Sequence, residues 1–148
     1  MSEHDTNLYG TIHGGVVMKL IDDAAAAAAG RHADGPAVTA SVDGMAFLDP
    51  VRAGDLLTVH AELERAGRTS MTVGVRVTAE RWNAAGPGTE VATGRLTFVA
   101  IDADGRPRPV PGLVTPGVVQ GVEGRSVVHR PYTRTAPRSG RASGSATG

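Results

Sequence analysis

The hydrophobic and polar positions divide the chain into one helical stretch followed by four alternating ones. From Gly14 to about Gly30 the residues are mostly small or apolar, with six consecutive alanines, and Gly30 is a plausible stop for a helix. Beyond it, residues 37–48 alternate at Val38, Ala40 and Val42. They are interrupted at Gly44, where a bulge is expected, and resume at Met45 and Phe47. Residues 55–65 put Leu57, Val59, Ala61 and Leu63 on one side and Thr58, His60, Glu62 and Glu64 on the other. Residues 70–82 repeat this with Val73, Val75, Val77 and Ala79 inward, and 91–102 form the last such run. Clean one-face alternation predicts an antiparallel sheet with one covered and one wetter face. A single alanine-rich helix is available to cover it, so the fold class is α+β, with the sheet wrapping closely around small side chains.

Composition changes this picture at one end only. From Pro109 onward Pro, Gly, Ser, Thr and Arg dominate. From Arg125 the chain carries five arginines (125, 130, 134, 138, 141) and no acid. Such a segment cannot bury enough apolar surface to offset its ordering entropy. The expected organisation is therefore a folded domain over 1–112 and a largely disordered tail over 113–148. Elsewhere the balance is ordinary: 41% hydrophobic, 20% charged, and fifteen basic against fifteen acidic side chains. Zero formal net charge gives no field for nucleic acid. No apolar run is long enough to cross a membrane, and the polar, acidic start "MSEHDTN" is unlike a signal peptide. The expectation is a soluble cytoplasmic protein with no nucleic-acid or membrane partner.

Candidate chemistry concentrates in "DTNLYGTIHGGVVMKLIDDAAAAAAG". Cysteine is absent, which excludes a thiol nucleophile, and the five scattered histidines show no ligand spacing, so no metal is expected. On a helix Asp23 faces Lys19, four residues back, and reads as half of a surface pair that contributes little. Asp22 shares its face with Gly15, Met18, Ala25 and Ala29, none of them a cation. A carboxylate there is costly unless it is exposed or has a purpose, and a desolvated carboxylate suits a general base. Gly14 and Gly15 open the helix, where backbone N–H groups have no intrahelical partner and a ligand can come close. With Asn7 and Thr6 just upstream, these residues form a plausible acyl-transfer constellation.

The segment "DTNLYGTIHGGVVMKLIDDAA" resembles the signature of the hotdog-fold acyl-CoA thioesterases, in particular the YciA and cytosolic acyl-CoA hydrolase branch. The likeness continues through "VTASVDGMAFLDPVRAGD", "RAGRTSMTVGVRV" and "ATGRLTFVAIDADGRPRPVP", covering roughly residues 5–111. The resemblance implies a hotdog fold, with a long helix wrapped by an antiparallel sheet. It implies at least a homodimer, expected as a hexamer built from three dimers, with active sites at the dimer interface. It implies hydrolysis of an acyl-CoA thioester to CoA and a carboxylic acid with no cofactor. Asp22 matches the family's catalytic carboxylate, acting as base on water or as nucleophile, and Asn7 the family asparagine that lies across the interface from the partner's aspartate. The Gly14 and Gly15 backbone would polarise the carbonyl. Gly67, Arg68, Thr69 and Ser70 match the region that contacts the CoA arm, and Arg106 and Arg108 could meet CoA phosphates or stand at the rim. Pocket depth would depend on Met18, Met45 and Phe47.

One departure is His13, where YciA-like members usually carry an aromatic residue. "HGG" also occurs in PaaI-like hotdog thioesterases, which act on aromatic acyl-CoA, so His13 either contacts substrate or fills the aromatic's place. The N-terminus is short for the family, so a preceding first strand is expected to be reduced or absent. A hotdog hydratase is a weaker match because His13 lies too far from Asn7. A non-catalytic acyl-CoA sensor is disfavoured by Asp22.

Overall fold

The structure is a computed structural model that describes residues 3–81 and 85–113. After a short 3-10 turn at Glu3–Asp5 come one helix, α1 (Gly14–Ala33), and four strands: β1 (Ala37–Phe47), β2 (Leu56–Ala66), β3 (Ser70–Glu80) and β4 (Thr89–Ala100). The strands form one antiparallel sheet in the order β1-β4-β3-β2. The tail beyond Leu113 lies outside the described residues.

The helix meets the sheet through Val17, Ile21, Ala25, Ala29 and Ala33, all buried and each four residues apart. Against them stand Met71, Val73, Val75 and Val77 of β3, with Leu96, Phe98 and Ala100 of β4. The approach is close. A Cβ on Gly94 would lie 2.8 Å from the Ile21 side chain, a separation real side chains do not tolerate. Alanine on the helix and glycine on β4 are therefore a matched pair of small residues that bring the layers together.

Two boundaries differ from the sequence expectation. The helix does not stop at Gly30 but runs one turn further to Ala33, and Asp34 adopts the left-handed cap conformation (φ 51°). Gly30 takes part in the cap instead, its carbonyl accepting from the Gly35 N–H at 3.1 Å. In β1 the pairing with β4 slips twice, between Thr39 and Ser41 and between Val42 and Gly44. Partners of the inward residues Phe98, Leu96, Gly94 and Ala92 are Thr39, Val42, Met45 and Phe47. Val42, Met45 and Phe47 thus face the helix as expected, but Thr39 stands on that row in place of Val38 and Ala40, because each extra residue turns the strand over. β2 and β3 keep the expected alternation.

The helix leaves the β1 flank open. Val42 and Phe47 are 52% and 53% exposed although they point to the helix side, and Val38, Leu48 and Met18 are also exposed.

Candidate active site

Residues 6–12 form a small hairpin, with bridges from Thr6 to Ile12 and from Thr11 to Arg52. Asn7 organises it. Its Oδ1 accepts from the backbone N–H of Tyr9 (2.8 Å) and of Thr11 (3.2 Å), and its Nδ2 donates to Thr11 Oγ1 at 2.8 Å. One amide hydrogen of Asn7 has no acceptor among the described residues. This is the side-chain mimicry of a backbone turn that asparagine performs well.

The hairpin delivers the chain to the start of α1. His13 occupies the N-cap in an extended conformation and makes no side-chain cap. Its N–H donates to the Asp5 carbonyl, and its own carbonyl accepts from Val16. The first turn of α1 carries no acid. The N–H groups of Gly14 and Gly15 find no acceptor among the described residues, and a Cβ on Gly15 would meet nothing within 4 Å. Two unpaired donors at the positive end of a helix dipole, reached from open space, suit a developing oxyanion. The His13 ring is exposed and does not take part in the cap.

Asp22 sits on the flank of α1 nearest β1. Its Oδ1 accepts from Thr39 Oγ1 at 2.8 Å, and the carboxylate is half-buried. In the single chain it is therefore only partly desolvated, because the open β1 flank leaves one side of it uncovered. Asp23 pairs with Lys19 at 2.6 Å on the outer face, as the helix spacing predicts. The Asp23 carboxylate, through its hydrogen bond first and its charge second, lifts the Lys19 ammonium above its ordinary value. Thr39 is the polar neighbour that sequence reasoning missed, since the two β1 slips decide which threonine or serine faces the helix.

Asp22 lies eight residues beyond Gly14, or about 12 Å along the helix axis. One reacting carbonyl cannot touch both, since attack and oxyanion contacts are each about 3 Å long. In a single chain the carboxylate and the free amides thus remain apart.

Phe47 lies against the helix start, its ring 3.5–3.9 Å from where a Cβ on Gly14 would stand. Beside it is an apolar cavity of about 270 Å³ between Ile12, Val17, Phe47 and Val51. Met45 is half-buried on the same inner row, near Gly94.

The remaining candidates gather at the opposite end of α1. Gly67 N–H bonds the Ser70 carbonyl (2.7 Å), the Thr69 carbonyl accepts from Ala100, and the Arg68 carbonyl accepts from Val110. Arg106 is exposed in the turn that Asp102 closes by accepting its N–H at 2.9 Å. Arg108 is committed elsewhere. Its Nε donates to the Ile101 carbonyl (3.0 Å) and its Nη1 to the Ala33 carbonyl (2.8 Å), the last of the helix. Arg108, for which the sequence leaves CoA phosphates and a place at the rim both open, instead uses Nε and Nη1 to cap the negative end of α1. Among the described residues no cluster of His, Asp or Glu could hold a metal ion, and no helix is long and apolar enough to cross a membrane.

This architecture, one helix against an antiparallel four-stranded sheet with free amides at the helix start, is that of the hotdog thioesterases. The profile of the thioesterase superfamily matches residues 9–81. The chain is 41% identical over 110 residues to the uncharacterized acyl-CoA thioester hydrolase YkhA of Bacillus subtilis, covering 74% of this chain and 63% of that protein's length. It is 36% identical over 109 residues to the acyl-CoA thioester hydrolase YciA of Salmonella typhimurium, covering 72% and 82% of the two chains. Among solved structures, an apo-hexameric acyl-CoA thioesterase superposes with a TM-score of 0.74 at 40% identity, over 80% of this chain and 75% of that one. The chain belongs to the thioesterase superfamily, in its acyl-CoA thioester hydrolase branch.

Proposed function

We propose that the protein hydrolyses acyl-CoA thioesters in a site shared between two copies of the chain. The observation that carries this is the separation of Asp22 from Gly14 and Gly15 along one helix, which leaves each chain with two halves of different sites. A second copy placed against the open β1 flank would cover Val42 and Phe47, desolvate Asp22 and bring a partner's helix start to it. The hexameric relative is consistent with such an assembly, and the proposal extends to a hexamer here.

In this reading Asp22, held by Thr39, takes a proton from water as the water oxygen attacks the thioester carbon. The Gly14 and Gly15 N–H groups of the other copy hold the oxyanion. Collapse breaks the C–S bond, and the proton held on Asp22 passes to the departing CoA sulfur. Water is the sole co-reactant and no cofactor enters. The spare amide hydrogen of Asn7 would orient the water from the partner side, while its carbonyl keeps the hairpin in shape. Gly67, Arg68, Thr69, Ser70 and Arg106 are assigned to the CoA arm, reached from the end of the helix remote from the free amides. His13 stands at the site's rim. A cytoplasmic setting goes with this reading, as does a division into a catalytic domain over 1–112 and a separate tail.

The test is thiol release from a panel of acyl-CoAs by the wild type, Asp22→Asn and Asp23→Asn. The protein has no cysteine to react with the reagent. Turnover lost in Asp22→Asn and kept in Asp23→Asn is expected. Equal loss in both, or turnover by neither wild type nor variants, contradicts the proposal.

A further inference from the structure

The cavity beside the free amides has a lining that says what can enter it. Its walls are Ile12, Gly14, Val17, Phe47, Leu48, Asp49, Pro50 and Val51, so Asp49 is the one charged residue among them. Its volume is about 270 Å³. An apolar cavity of about 150 Å³ holds a six-carbon ring, so this one holds about ten carbons. Phe47 borders it toward Gly14, with its ring in contact distance of the helix start, and in the single chain half of its surface is exposed and it stands outside the buried core.

We propose that this cavity takes the acyl chain of the substrate, that the chain is uncharged and reaches about ten carbons, and that Phe47 sets this limit. The inference rests on the thioesterase reading above and narrows its substrate class. The carbonyl would stay at the Gly14 and Gly15 amides while the hydrocarbon runs past the Phe47 ring into the apolar walls. An acyl group ending in a carboxylate would bring its charge beside Asp49 with no cation in the lining, an arrangement that costs binding free energy. A phenylalanine beside an open apolar cavity acts on length through its bulk alone. Removing the ring and enlarging it therefore have opposite effects.

The experiment measures kcat/KM for saturated acyl-CoAs of two to sixteen carbons and for succinyl-CoA, on the full chain and on Phe47→Ala and Phe47→Trp. For the wild type, kcat/KM is expected to fall beyond about ten carbons, with succinyl-CoA well below the six-carbon substrate. Phe47→Ala should raise the sixteen-to-six-carbon ratio by about tenfold or more, and Phe47→Trp should move the limit to shorter chains. Thiol release with a length limit that neither variant moves, or succinyl-CoA as a preferred substrate, overturns this inference and leaves the thioesterase reading standing. No release from any member of the panel overturns both.

Discussion

Thr39 Oγ1 donates to Asp22 Oδ1 over 2.8 Å, tying the edge strand β1 to the middle of α1. Misplacing a reacting group by about 1 Å can cost about 100-fold, so losing the hydroxyl that positions Asp22 should lower kcat by roughly 10- to 100-fold. Thr39→Val is isosteric and is expected to show that loss, and Thr39→Ser to restore most of the rate. Thiol release on one acyl-CoA checks both. If Thr39→Val turns over at the wild-type rate, the carboxylate is not positioned by this contact.

Gly94 is held small by Ile21. A methyl group at Gly94 would stand 2.8 Å from Ile21 Cγ2, so the helix must shift outward or the side chain must leave its rotamer. Gly94→Ala is expected to destabilise the fold by about 1–3 kcal/mol, read from denaturant midpoints. A midpoint at or above that of the wild type would contradict the close packing.

Arg106 and Arg108 are separated by one residue and should behave oppositely. Arg108→Ala removes the donors to the Ala33 and Ile101 carbonyls and should lower stability by about 2 kcal/mol. Arg106→Ala should leave the melting temperature within a degree or two of the wild type. A several-fold rise in KM for acyl-CoA is expected for Arg106→Ala if its side chain meets the CoA arm.

Asp43 carries a pH dependence whose sign is fixed. The Ser41 hydroxyl, then the Thr97 hydroxyl, then the Arg95 charge hold its carboxyl below the ordinary value of 3.8. A depressed folded-state value means that the stabilisation is fully present above 3.8 and is lost as pH falls through the lower folded value. Asp43→Asn should therefore narrow the stability difference between neutral and strongly acidic solution. Urea titrations of both proteins at several acidic pH values report it, and parallel curves would refute the assignment.

Much of the fold and part of the site were legible in the sequence, for identifiable reasons. Four-residue spacing separated Asp23, beside Lys19, from Asp22, and period-two alternation fixed the inner faces of β2 and β3. In β1 the slip at Gly44 is legible because glycine interrupts the alternation there, whereas the slip between Thr39 and Ser41 has no local mark, and it is this one that hides the Asp22–Thr39 contact. The capping role of Arg108 is not legible because its partners, the Ala33 and Ile101 carbonyls, are backbone atoms without a sequence signature. Gly30 looked like a helix stop because its real neighbour, Gly35, comes close only after the chain has turned back.

The central claim is that neither chain holds a whole site, and mixing two inactive variants tests it. Asp22→Asn removes the carboxylate. Gly14→Pro removes one donor N–H at a position where proline suits a helix start, since His13 before it is already extended (φ −57°, ψ 131°). Refolded together in equal amounts, half of the dimers are mixed, and each mixed dimer carries one intact composite site. The account predicts recovery of roughly a quarter of wild-type thiol release from two parents that are each inactive. Mixed dimers that form but stay as inactive as the parents would show that Asp22 and Gly14 act within one chain.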